Sequence, residues 1–450
     1  MSLPIERFRE LLGEVLPRNR FYTSKYAGLN VTPADFRTVE DLRRLPFVVK
    51  ADLIADQCEH PPYGSVLTYP LERYSRIHQT SGTTSGKALC WLDTPESWES
   101  ILQCWQDSFP YMGLTPRDRF FFPFSFGPFI GFWSAFEAAS RAGFMCIPGG
   151  GMTSTARLRF LTDHAATVVC CTPTYALHLA ELADREGIDL AGSAVRAIIV
   201  AGEPGGSIPA TRERIENVWG ARVFDHYGMT EVGPVAVEMV DTPRSMALLE
   251  RHYIVEVVDP NGFAPTPVGE VGELVLTNLG RAGSPLIRYR TGDLVRMRNE
   301  ELGMRNSDLE MRNPESGIRN SEGGTGHQEG SGLNSEFRIP YSEFLDGGIL
   351  GRTDDMIHLR GNNLYPAALE AVIRRFPEVA EFRIVIDQSG PLPDLRIEVE
   401  PVGNASPAPL AEAVGRAIRD ELLFRVEVAA VAAGSLPRFE MKARRVVKYG

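Results

Sequence analysis

The rhythm of apolar and polar positions changes from segment to segment along this chain. Over residues 1–75 apolar positions sit in short helical patterns broken by Pro-containing turns. From Ser75 to about Gly220, apolar strands alternate with amphipathic helices. The run Ala197-Ile198-Ile199-Val200-Ala201-Gly202 is apolar throughout and closes on glycine, the form of a strand buried in a parallel sheet. Such alternation predicts an α/β sheet with ligands at its strand ends. From Tyr253 to Val295, Val/Ile-rich runs between Pro/Gly turns predict antiparallel strands. Beyond Arg352 the pattern is α+β, with helices expected over 367–375 and 410–423 and strands over 382–386, 395–399 and 426–431.

Between these parts lies a segment unlike the rest. Residues 302–308, 309–315 and 316–322 are three near-copies of one heptad. A period of seven suggests a coiled coil, but Gly303, Pro314 and Gly317 break helix, and only the position of Met304, Met311 and Ile318 is apolar in every copy. The following stretch to Ser335 is rich in Gly, Ser and Glu. The segment over about 299–335 is read as a disordered surface insertion.

Composition narrows the class. A chain of 450 residues with ordinary apolar content is long enough for more than one domain, and its net charge of −11 disfavours nucleic acid as a partner. None of the six cysteines forms a Cys-x-x-Cys pair, and Cys170-Cys171 sits in an apolar run, so reduced cysteines in the cytoplasm are expected. The N-terminus lacks the pattern of a signal peptide. The richest apolar stretch, 120–139, is interrupted by Pro123, Gly127, Pro128, Gly131 and Glu137, so no membrane span is expected. Arg438, Lys442, Arg444, Arg445 and Lys448 form a basic cluster near the C-terminus, suited either to a polyanionic substrate or to solvent.

The strongest chemical signal is Gln79-Thr80-Ser81-Gly82-Thr83-Thr84-Ser85-Gly86-Lys87. Small residues let main-chain N–H groups approach an anion, and the hydroxyls and ammonium add donors, so the stretch reads as a polyphosphate loop. It is not a Walker A loop, because only Thr83, Thr84 and Ser85 separate Gly82 from Gly86 and Ala88 follows Lys87. It resembles instead the phosphate signature of acyl-adenylate-forming enzymes, departing from it at the extra Ser85 and at Ala88.

Further segments resemble that superfamily in the expected order. Tyr227-Gly228-Met229-Thr230-Glu231 resembles its adenine and α-phosphate motif, which implies that Tyr227 and Gly228 line the base, Thr230 meets the α-phosphate and Glu231 holds Mg2+. Arg288-Tyr289-Arg290-Thr291-Gly292-Asp293 resembles the ribose motif, with Asp293 accepting from both hydroxyls. Gly351-Arg352-Thr353-Asp354-Asp355-Met356 resembles the interdomain hinge, with Arg352 near the ribose and Asp354 at the pivot. Lys442 falls at the C-terminal lysine, although Met441 replaces the usual glycine. Ala201-Gly202-Glu203-Pro204 and the ending Lys442-Ala443-Arg444-Arg445-Val446-Val447 are most similar to phenylacetate–CoA ligases.

The resemblance implies an α/β adenylate-forming domain of mixed parallel sheets with a small antiparallel β region over 1–350, and a mobile α+β lid over 351–450. It implies an enzyme that uses ATP, Mg2+ and CoA and acts on a small carboxylic acid, with a homodimer as one possible assembly. Ser81, Gly82, Thr83, Thr84, Ser85, Gly86 and Lys87 would hold the β/γ-phosphates, Gly202 and Glu203 would border the nucleotide, and Lys442 would act with Thr230 and Glu231 in adenylation. Phe124, Phe126, Phe129 and Phe132, with Trp133 and Phe136, form an aromatic block spaced at three to four from Phe126 onward, expected on one helix face and able to wall an aryl pocket or pack as core. Other readings stay open: transfer of AMP to a deazaflavin, a carrier-protein or amine acceptor, or a homologue without catalysis.

Overall fold

The computed structural model describes residues 3–80, 88–299, 343–355, 357–359, 362–387, 394–403, 405–439 and 443–449. The expected phosphate loop at 81–87, Lys442 and the insertion beyond Asn299 lie outside the described residues.

A large mixed sheet organises the N-terminal part. Its parallel half runs in the order Met145–Pro148, Arg119–Phe122, Val168–Cys171, Ala197–Ala201, Arg222–Met229. Each crossover carries a helix, as parallel pairing requires. The strand Val168–Cys171 is buried along its whole length, because helices cover both faces. Two apolar cores result: one holds Trp91, Trp105, Phe120 and Phe122, the other Phe121, Tyr175, Ile198 and Trp219. Alternation of neighbouring strand residues between these cores follows from the two-residue period of the strand.

At Arg222–Met229 the sheet changes character. Gly233–Met239 and Thr242–Leu248 pair antiparallel, and the sheet continues through Glu343–Asp346, Tyr289–Asn299, Val271–Asn278 and Tyr253–Val258. The antiparallel reading of 253–295 therefore agrees with the structure, and so does the helical N-terminal region, which contains Pro4–Val15, Arg20–Lys25 and Lys50–Glu59.

The smaller C-terminal part is a four-stranded sheet in the order Glu427–Ala430, Asp394–Pro401, Val379–Asp387, Val446–Tyr449, packed against helices Pro366–Ile373 and Pro407–Leu422. Leu369, Ile373, Ile384, Ile397, Val414 and Ile418 form its own core. The expected elements of this unit are all present within a few residues, and Val446–Tyr449 adds a strand that the basic ending concealed. No helix among the described residues is long and apolar enough to cross a membrane.

Candidate active site

The hairpin Arg76–Gln79 with Cys90–Asp93 brackets the segment 81–87. Its end is closed by Thr80, whose amide donates to the Leu89 carbonyl at 3.0 Å and whose hydroxyl accepts from the Leu89 amide at 2.9 Å. The same hairpin ends in Asp93, which is fully buried and paired with the equally buried Arg281. Arg281 donates to the two Asp93 oxygens at 2.9 and 2.8 Å, and its remaining nitrogen donates to the carbonyls of Thr230 and Glu231, both at 2.9 Å. Arg281 thus joins the hairpin on either side of 81–87 to the Thr230–Glu231 turn. No motif advertised it; a lone arginine in a Gly-rich turn carries no signal of what it spans.

Tyr227-Gly228 closes the strand Arg222–Met229 at an irregular register with its antiparallel neighbour. A Cβ on Gly228 would stand 2.7 Å from the Gly233 carbonyl, so only glycine allows this approach. The Tyr227 hydroxyl donates to Asp293 at 2.6 Å, and Arg352 donates to the other Asp293 oxygen at 2.8 Å. Arg352 also grips Asp354 through two nitrogens, at 2.8 and 3.0 Å. Burial works against the Arg352 charge, but Asp293, Asp354 and Asp355 more than offset it and hold the guanidinium protonated. For the Tyr227 hydroxyl, burial and then the Asp293 charge push the pKa well above its ordinary value, so it acts as a donor. The segment Gly351–Arg352 pairs with Asp293 and Leu294, which is how Arg352 reaches the Asp293 carboxylate.

Glu231 is buried, with the Lys50 ammonium 3.1 Å away and the Tyr289 hydroxyl at 3.4 Å. Lys50 was another residue without a sequence signal; it opens the helix Lys50–Glu59, and the preceding Val48 bridges to Tyr289. Among the described residues no cluster of three or more His, Cys, Asp and Glu side chains is arranged to hold a metal. Glu231 is the carboxylate that would hold Mg2+, a hard cation that favours oxygen donors.

Gly202 leaves the strand Ala197–Ala201 at a φ of 92°, turning Glu203 toward the helix Pro173–Glu186. Glu203 accepts from the Thr174 amide at 2.9 Å and from the Ala443 amide at 2.5 Å. The basic ending proves to be built into the fold: Arg438 is paired with Glu400 and Glu181, and Arg445 with Glu370 and Glu381. These two arginines are neutralised by protein carboxylates, which corrects their reading as cations for a polyanion.

The aromatic block needs a second correction. The helix runs Ile130–Arg141, so Phe132, Trp133 and Phe136 are helical while Phe124 and Phe126 precede it and Phe129 is its N-cap residue. They still cluster: Phe124 stacks on Phe132 with ring centres 4.1 Å apart, Phe126 meets Trp133 at 4.7 Å and Phe136 at 5.3 Å, and Phe129 meets Phe132 at 6.2 Å. A loop folding back over the helix achieves the convergence that helical spacing was expected to supply. Nearby, His226 stacks on Trp105 at 3.9 Å, and burial pulls its pKa down to about 3, so it is neutral.

A mixed sheet that switches from parallel to antiparallel pairing beside Tyr227, with a small α+β unit bonded to it at Glu203 and Thr174, is the fold that the resemblance to acyl-adenylate-forming enzymes implied. Comparison with known proteins agrees. The AMP-binding enzyme family model matches residues 74–281, and the AMP-binding enzyme C-terminal domain model matches residues 361–449. Phenylacetate-coenzyme A ligase of Thermus thermophilus is 30% identical, with 99% of this chain and 96% of the relative aligned, and that of Escherichia coli is 28% identical over 99% and 94%. The chain belongs to the acyl-adenylate-forming superfamily, in its phenylacetate–CoA ligase branch.

Solved structures of 2-hydroxyisobutyryl-CoA ligase add the arrangement of the parts. In the postadenylation state with 2-HIB-AMP the TM-score is 0.85 at 26% identity, covering 99% of this chain and 88% of that one. In the thioesterification state with 2-HIB-AMP and CoA it is 0.68 at 27% identity, with the same coverage. The C-terminal part is thus arranged more like that of the postadenylation structure than that of the thioesterification structure. The enzyme is an ATP-dependent acid–CoA ligase.

Proposed function

We propose that the acid is an aryl or arylacetic acid, and that the residues brought together above divide its two half-reactions. A carboxylate oxygen attacks the α-phosphorus of ATP, pyrophosphate leaves, and an acyl-adenylate forms. The CoA sulfur then attacks the acyl carbon, its proton is lost, and AMP leaves. Such transfers depend on positioning and charge stabilisation.

The observation that carries this assignment is the convergence of Tyr227 and Arg352, from two separate segments, on the buried carboxylate of Asp293 in a third. An ionised carboxylate accepts at both oxygens and suits a vicinal diol such as ribose. Thr230 takes the α-phosphate, with its backbone fixed by Arg281. Residues 81–87 take the β/γ-phosphates. Glu231 holds Mg2+, which when bound would neutralise phosphate charge. Lys50, now paired with Glu231 at 3.1 Å, holds that carboxylate in place. Lys442 bridges the acid and the nucleotide during adenylation, and the lid over 351–450 turns about Asp354 for thioester formation.

Two features favour an aryl acid: relatives named as phenylacetate-coenzyme A ligases, and the phenylalanines from Phe124 to Phe136, whose half-exposed members offer faces and edges to a flat ring. The enzyme is taken to work in the cytoplasm, where ATP and CoA are available. The test is CoA-dependent AMP release with phenylacetate, benzoate, 2-hydroxyisobutyrate and acetate. An aryl-acid kcat/KM about a hundredfold or more above that of acetate is expected, because burying a phenyl ring is worth a few kcal/mol. Equal or better use of a small aliphatic acid would refute the aryl assignment.

A further inference from the structure

The segment following Lys442 is tied to the large domain at two points, Thr174 at the start of one helix and Glu203 bonded to that helix start. Thr172 caps the helix Pro173–Glu186, its hydroxyl accepting from the Tyr175 amide at 3.1 Å. Thr174 is therefore in the first turn, where an amide donor lacks an intrahelical partner and a negative charge is favoured. Glu203 supplies that charge. One of its oxygens accepts from the Thr174 amide at 2.9 Å, and the other accepts from the Ala443 amide at 2.5 Å. The Thr174 hydroxyl in turn accepts from Arg445 at 2.9 Å.

On the lid side, Arg445 has its own anchors. Its carbonyl accepts from the Ile384 amide at 2.7 Å, and its guanidinium is held by Glu381 at 2.7 and 3.1 Å and by Glu370 at 3.2 Å. Those bonds lie within the lid and travel with it. The bonds to Glu203 and Thr174 cross between the two parts. Ala443 is joined to Lys442 by a single peptide bond, so whatever fixes the Ala443 amide also limits where the lysine can stand.

We infer that Glu203, aligned by Thr174, is a positioning residue that presents Lys442 for adenylation and lets it go when the lid turns. Glu203 thus belongs to the conformational cycle rather than to nucleotide contact, and the inference rests on the assignment of Lys442 given above. A carboxylate is needed because both of its neighbours are N–H donors; an amide side chain would present its own donor to one of them.

The experiment measures both half-reactions in the full-length enzyme: acid-dependent pyrophosphate exchange for adenylation, and CoA thioester formation from supplied acyl-adenylate. For Glu203→Ala the ratio of adenylation to thioester formation is expected to fall about tenfold to a hundredfold, the worth of a charge-assisted hydrogen bond. Glu203→Gln should fall less, and Thr174→Val, which keeps the amide but removes the hydroxyl, only about threefold to tenfold. Parallel loss in both half-reactions with a lowered Tm in all three variants would overturn the inference, leaving Glu203 a structural residue. So would a raised KM for ATP with unchanged adenylation kcat, which would make it a nucleotide contact. Lys442→Ala, run alongside, separates the two claims: if that variant adenylates normally, the assignment of Lys442 fails whatever Glu203 does.

Discussion

Arg281 offers the sharpest test of how the site is held. Arg281 and Asp93 are both wholly buried, and Arg281 makes four charge-assisted hydrogen bonds, two to Asp93 and two to the carbonyls of Thr230 and Glu231. Arg281→Met keeps much of the side-chain length but strands the Asp93 carboxylate in a dry interior. Removing one partner of such a pair typically costs about 3–5 kcal/mol, a large share of the roughly 5–15 kcal/mol that stabilises a domain. Urea unfolding followed by tryptophan fluorescence suits the measurement, since Trp91 lies 5.8 Å from the guanidinium. Arg281→Met is expected to lower stability by that amount, and adding Asp93→Asn should recover part of it, because the stranded charge is then gone. Adenylation should remain impaired in the double variant, since the Thr230 and Glu231 carbonyls still lack their donor. A loss below about 1 kcal/mol in Arg281→Met, or adenylation restored by Asp93→Asn, would refute the reasoning.

Two other substitutions probe the nucleotide and the fold. Asp293→Asn weakens the acceptor shared by Tyr227 and Arg352 and is expected to raise the Kd for ATP about tenfold or more by calorimetry, with a smaller effect on adenylation kcat at saturation; unchanged ATP affinity would remove Asp293 from the ribose site. Asp225 is pushed by burial from 3.8 to about 6, opposed by the Ser207 hydroxyl that donates to it at 2.5 Å. The folded state thus binds this proton more tightly than the unfolded chain, so the group's contribution to stability falls as pH rises from about 4 to about 6 and is level above. Asp225→Asn should therefore be more stable than the wild-type protein by about 1–3 kcal/mol at pH 7 in urea titrations, with the gap closing near pH 4. An equal gap at both pH values would contradict the burial argument.

What the sequence disclosed and what it hid have different physical causes. Runs such as 197–202 announce buried parallel strands because their period and length are local properties. The Tyr227, Asp293 and Arg352 segments were legible because each motif is contiguous, and the structure brings them together on Asp293. Arg281 and Lys50 were not legible, since their value lies in partners 188 residues away for the Asp93 bond and across the sheet for Glu231. Arg438 and Arg445 read as solvent-facing or substrate-facing cations because their carboxylate partners are distant in the chain, at Glu181 and Glu400 and at Glu370 and Glu381. The aromatic block failed in a third way: Phe126 and Phe129 extend the helical spacing of Phe132, Trp133 and Phe136, but Pro128 favours a turn and the helix starts only at Ile130.

The central claim is that this chain activates an aryl acid through an acyl-adenylate, with Lys442 serving that half-reaction. Its most direct test is exchange of labelled pyrophosphate into ATP with a panel of aryl, arylacetic and aliphatic acids, comparing the wild-type protein with Lys442→Ala. The account predicts exchange with an aryl or arylacetic acid that drops about a hundredfold or more in the variant. Exchange that survives the substitution, or that only aliphatic acids support, would contradict it.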